Sequence, residues 1–178
     1  MKNIFKNLFV ILFIIIILTG CGNKSLESTM ISLIDGIING KTNEVVKKYC
    51  INYELLESAE EDDEYGIRKL IFSKITYKII DKEEKGDEGT IYLELKTVDV
   101  SSIFEKLQSE LVTDEEYLKL SSDEMKEYSL KKERDMIDNL DEEYFRIVKI
   151  GVKAKRENGV WKIELSDEFI YALSGLNY

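Results

Sequence analysis

The chain predicts an α+β domain, a curved antiparallel sheet of about four strands packed on N-terminal helices, with a helical insertion before the last hairpin. Three observations carry this expectation. Apolar residues recur at helical spacing between positions 26 and 49. They alternate with period two from Ile75 to Leu95, and again from Val152 to Leu165. Between the two alternating segments, residues 101–143 return to a helical and heavily charged pattern.

In chain order, Ser25 or Ser28 can cap a helix that places Met30, Ile34, Ile37 and Ile38 on one face and stops at Gly40. Thr42 is expected to cap a short second helix that buries Val45, Val46 and Tyr49 and leaves Lys47 and Lys48 outside. Cys50 then reads as a small buried hydrophobe. The acidic run Glu57 to Glu64 lacks the spaced aspartates and distant glutamate of a calcium loop, so it reads as a solvated loop or helix start. Ile67, Leu70 and Ile71 continue a helical turn towards the sheet.

In the first hairpin, Ile75, Tyr77 and Ile79 share a face, as do Ile91, Leu93 and Leu95, with Lys85 to Gly89 as the polar connection. Strand parity extends those faces to Asp81 and Asp99, which are therefore the candidates for a catalytic acid or base. Their alternative reading is as solvated carboxylates at a turn and at a helix start. Within the insertion, Ser102 with Glu105, Thr113 with Glu116 and Ser121 with Glu124 fit the capping box, which implies several short helices. Ile103, Phe104, Leu107 and Leu111 form one apolar stripe, and Met125, Tyr128, Met136 and Leu140 a thinner one. Residues 114–143 are expected to be partly mobile. Asn158-Gly159 suits a two-residue type I′ turn, which sets Ala154 opposite Ile163, Val152 opposite Leu165 and Arg156 opposite Trp161. A short helix, Asp167 to Leu173, closes the chain over one end of the sheet.

Composition narrows the chemistry. A net charge of −10 argues against nucleic acid, whose phosphates reward a basic surface. Histidine is absent, which removes Ser-His-Asp and Cys-His nucleophile systems and imidazole-ligated metals together. The ten glycines never approach a phosphate-binding loop. Neither a cofactor nor a metal is expected, and with 35 acids in the chain the proximity of two carboxylates carries no information about glycoside hydrolysis.

Lys2 and Lys6 precede an unbroken apolar run, Leu8 to Leu18, and small residues then lead to a cysteine in Leu18-Thr19-Gly20-Cys21. The run is shorter than the roughly 20 residues that a bilayer span needs. It resembles the bacterial lipobox. The resemblance implies recognition of Leu18, Thr19 and Gly20 by signal peptidase II, cleavage before Cys21, and a diacylglyceryl group and palmitate on that cysteine. Residues 1–20 are then the signal peptide, 21–25 the lipidated linker, and 26–178 one domain on the extracytoplasmic face of the cell membrane. Cleavage removes two lysines and no acid, so the mature 158 residues carry −12. Such a total argues against the domain lying flat on an anionic leaflet and leaves attachment to the acyl chains.

The order of elements, the segment Asn39-Gly40-Lys41-Thr42 at the second helix and Gly159-Val160-Trp161-Lys162-Ile163 on the last strand resemble the cystatin-like or nuclear transport factor two-like cone of small bacterial lipoproteins of unknown function. The resemblance covers residues 26–98 and 144–166. It implies a concave pocket at the wide end of the sheet and a role in binding a protein or a small ligand. The expected function is a noncatalytic binding module, with a basic protein or a small ligand as partner. The alternatives are a cone enzyme of ketosteroid isomerase type that uses an Asp base, Asp81 or Asp99, or a structural envelope protein.

Overall fold

The computed structural model describes residues 24–54, 56 and 66–176. Leu18, Thr19, Gly20 and Cys21 lie outside the described residues, as does the acidic run 57–64. Helix α1 (Leu26–Ile38) starts where Ser25 accepts the Ser28 N–H at 3.1 Å, and it buries Leu26, Met30, Leu33, Ile34 and Ile37. Helix α2 (Thr42–Tyr49) follows, with Gly36 of α1 against it: a Cβ on Gly36 would sit 2.1 Å from Val45 Cγ1, so only glycine permits this approach. Thr42 does not cap α2. Lys41 holds that position, and Thr42 is buried inside the first turn.

Strand β1 (Cys50–Ile51) and helix α3 (Ile67–Ser73) lead to β2 (Thr76–Lys85) and β3 (Glu88–Val98), joined by a two-residue turn at Gly86-Asp87. Helices α4 (Val100–Leu111) and α5 (Ser122–Asp138) form the insertion, with 3₁₀ turns at Tyr117–Lys119 and Glu142–Tyr144. Strands β4 (Phe145–Glu157) and β5 (Val160–Glu164) and helix α6 (Asp167–Ser174) complete the chain. The sheet is ordered β1-β5-β4-β3-β2 and is antiparallel except where β1 pairs in parallel with β5. The fifth strand beyond the expected four is that two-residue β1, too short to carry any period.

The final hairpin folds in the expected register. Ala154 pairs with Ile163 and Arg156 with Trp161, around an Asn158-Gly159 turn with both φ values positive, 51° and 82°. Val152 and Leu165 are both buried, but β5 ends at Glu164 and the two are not ladder partners. The inner face of the sheet, with Ile91, Leu93, Leu95, Val152, Ala154, Trp161 and Ile163, is covered by α1, α3 and α6. Met30, Leu33 and Ile34 of α1 and Phe169 and Leu173 of α6 are all at 0% exposure, so this face is filled by side chains.

The first hairpin departs from simple alternation. Ile79 pairs with Leu93, but Asp81 pairs with Tyr92, which leaves Ile80 as a bulge, 50% exposed. Beyond the bulge every side chain changes face, and Asp81 joins Tyr92 on the outer surface instead of continuing the Ile75 face. Together with exposed Lys78, Lys82 and Lys85, the bulge also guards β2, an edge strand, against pairing with another chain.

Helix α4 opens at Asp99, whose Oδ1 accepts the Ser102 N–H at 3.2 Å; Ser102 itself caps nothing. Thr113 turns its hydroxyl back to the Glu110 carbonyl, and Asp114 does the capping there. Only Ser121 with Glu124 forms its capping box among the three expected. Phe104 is 55% exposed and leaves the α4 stripe, whereas Ile137, absent from the expected α5 stripe, is 1% exposed. The segment expected to be partly mobile contains a continuous 17-residue helix. It is tied to the body by Lys74 Nζ on the Asp138 carbonyl at 3.0 Å, by the Asp99 N–H on the Tyr144 carbonyl at 2.7 Å, and by Lys96 with Glu142 at 2.5 Å.

Candidate binding cleft

Helices α4 and α5 and the 3₁₀ turn before β4 enclose a cleft of about 290 Å³. Ile103, Met136 and Leu140 supply apolar lining, and Lys106, Glu110, Lys132, Asp135, Asp141 and Tyr144 supply polar groups. Residues 100–144 hold fourteen acidic and six basic side chains, a net −8. Two cleft lysines already have partners. Lys106 lies 4.7 Å from the centre of the Tyr144 ring, and Lys132 reaches Glu110 at 3.4 Å and Asp114 at 3.2 Å.

Asp114 holds the two helices in register. Its Oδ2 accepts from the Tyr128 hydroxyl at 2.8 Å and from Lys132, and its Oδ1 accepts the N–H groups of Glu116 and Tyr117 at 3.0 and 3.2 Å. The Tyr128 hydroxyl first, then the Tyr117 N–H and the Lys132 ammonium, hold the Asp114 carboxyl down to about 2. Tyr128 and Lys132 stand four residues apart, on one face of α5. A partner at position 114, across a turn, was not marked by that spacing. An apolar lining beside Asp135 and Asp141 suits a cationic, amphipathic group, such as a lysine or arginine side chain with its methylenes over Met136 and Leu140.

A second depression, about 400 Å³, lies on the outer sheet face beside Ile80, Asp81, Glu83, Tyr92, Lys149 and Gly151. Asp81 Oδ1 accepts the N–H of its neighbour Lys82 at 2.8 Å, and the Tyr92 hydroxyl donates to Glu83 at 3.3 Å. The Glu83 charge raises the pKa of Tyr92. Asp99 is not brought to this place: it caps α4 seven residues of β3 beyond Tyr92, about 20 Å away along the strand. The two candidate carboxylates therefore stand apart, each with a local backbone partner. Among the described residues, no group of His, Cys, Asp and Glu is placed to hold a metal ion.

Cys50 is 5% exposed at the start of β1, where burial pushes its thiol up to about 12. The thiolate is suppressed at neutral pH, as suits the small hydrophobe expected at this position. No described helix is long and apolar enough to cross a membrane.

No protein-family profile and no curated protein matches this chain. Among solved structures, the fold is similar to that in the crystal structure of a Bacillus subtilis protein named as a lipoprotein, ycdA, with a TM-score of 0.50 and 14% identity. The match covers 79% of this chain and 47% of that one, so the chain spans about half the length of its structural neighbour. At that identity the likeness is one of fold.

Proposed function

We propose that this protein is a lipoprotein held by Cys21 on the extracytoplasmic face of the membrane, and that it acts as a noncatalytic binding module whose α4–α5 cleft takes a cationic partner. The observation that carries the reading is the folded acidic insertion, net −8, with its apolar-lined cleft beside Asp135 and Asp141. The tether rests on the sequence Leu18-Thr19-Gly20-Cys21, and the fold shared with a protein named as a lipoprotein supports it. A cystatin-like or nuclear transport factor two-like ancestry is consistent with helices packed on a curved sheet, but the filled inner face moves binding from a cone pocket to the surface.

Acid–base catalysis has less support. Asp81 shares a face with Tyr92, yet the Tyr92 proton is directed at Glu83 and the depression is open to solvent.

The test is photocrosslinking in intact cells from position 136 or 140, with position 92 on the outer sheet face as the control. The expected result is a cationic partner captured from the cleft positions alone and lost in Asp135→Lys/Asp141→Lys. Equal capture from position 92, or capture insensitive to that charge reversal, overturns the cleft. Labelled palmitate should enter the wild type and not Cys21→Ala, and continued labelling of the variant removes the anchor assignment.

A further inference from the structure

The described chain begins at Lys24, three residues after Cys21, and three ammonium groups gather around that point. Lys24 Nζ donates to the Tyr49 hydroxyl at 2.9 Å and to Ser32 Oγ at 2.6 Å. Lys24 and Lys48 lie 4.8 and 5.2 Å from the centre of the Tyr49 ring. Lys162, on β5, donates to the Lys48 carbonyl at 2.6 Å. Lys24 and Lys162 are thus positioned by neutral acceptors, and Lys48 by the Tyr49 ring. Five other lysines, Lys78, Lys82, Lys96, Lys132 and Lys149, pair instead with carboxylates. Among the described residues no carboxylate pairs with Lys24, Lys48 or Lys162. Like charges gathered with no carboxylate of the described residues paired to them repel, and an external anion relieves the repulsion.

Distance says which anion is at hand. Three residues reach about 10 Å at most, so an acylated Cys21 keeps Lys24 beside the lipid headgroups. We infer that this edge is a second contact with the membrane, in which Lys24, Lys48 and Lys162 engage the phosphates of anionic phospholipids in the leaflet that holds Cys21. The inference rests on the tethered reading. It reverses the expectation drawn from net charge, because the total of −10 conceals a hairpin, residues 145–164, with six basic and two acidic side chains.

The acidic insertion leaves the fold at the other end of the sheet, although the β2–β3 tip, with Glu83, Glu84 and Glu88, lies at this one. Leu26, at the start of α1, touches the Gly89 end of β3, whereas the acidic insertion leaves from the Val98 end. Eleven residues of β3 separate those ends by about 30 Å, which keeps the acidic helices away from an anionic surface.

The experiment uses the full lipidated protein in vesicles of phosphatidylcholine, with and without phosphatidylglycerol. Lysines are acylated with a water-soluble amine reagent and read by mass spectrometry. Lys24, Lys48 and Lys162 should be labelled several-fold more slowly in the anionic vesicles, and high salt should restore their labelling. Lys119, Lys126 and Lys131 of the insertion should label alike in both. Equal labelling of the three edge lysines in the two vesicles overturns the inference while leaving the anchor intact. A purified protein without a diacylglyceryl mass on Cys21 overturns both readings. As a second readout, each Lys→Gln change at the edge should weaken association of unlipidated Cys21→Ser protein with anionic vesicles by roughly fivefold. Unchanged association in the triple variant counts against the inference.

Discussion

The acidic insertion and the terminal hairpin are neighbours in the chain and are built on different physics. The hairpin, residues 145–164, is basic and is held by apolar burial: Val152, Ala154, Trp161 and Ile163 are all at most 2% exposed. The insertion, residues 100–144, is net −8 and buries Ile103, Leu107, Leu111 and Ile137, with a polar junction at Asp114 taking the rest. One region depends on water exclusion alone, and the other adds to it a charged hydrogen-bond network. They should therefore fail under different conditions.

Trp161→Ala should produce the largest loss, about 3–5 kcal/mol, because it empties the centre of the sheet core. Chemical denaturation should show it as a lower midpoint for the whole domain; a cost under about 1 kcal/mol would mean that the indole serves chiefly as a platform for Arg156, 4.4 Å above its ring. Ile137→Ala should cost about 2–4 kcal/mol, and hydrogen exchange should place the loss in α4 and α5 while β3 and β4 keep their protection. Equal loosening of the strands would show that the two regions form one cooperative unit.

Acid separates the regions most gently. The Asp114 carboxyl is held below its unfolded value, so its contribution is complete above about 3.8 and disappears as pH falls through about 2. Over that window α4–α5 exchange should rise in the wild type, and Asp114→Asn should make it less dependent on pH. A variant with the wild-type acid profile would remove Asp114 as the junction.

The contrast also explains which parts could be read from the sequence. The hairpin announces itself twice, through alternation and through Asn158-Gly159, and those two signals agree on one register. α1 and the buried side of α2 follow from helical spacing. The insertion shows helical content, but its caps compete: Asp99 and Asp114 outrank Ser102 and Thr113, and three candidate boxes yield one. Phe104 leaves an α4 stripe whose other members, Ile103, Leu107 and Leu111, are buried, and Ile137 is buried on α5 because the stripe on that charged helix is too thin to set its rotation.

By itself the sequence determined the α+β class, the order of elements, the last register, and the lipobox-like approach to Cys21, because each is a pattern in neighbouring residues. Tertiary structure decided the rest. The bulge at Ile80 moved Asp81 to the outer face, and nothing local distinguishes Ile79-Ile80 from an unbroken strand. Asp114 met Tyr128 and Lys132, and Lys24 met Tyr49, because the chain folds back, with α2 brought against α1 and α5 against α4. Net charge is a sum without positions; the sequence shows an acidic segment, 100–144, followed by a basic one, 145–164, and the fold decides which side chains of each stand together.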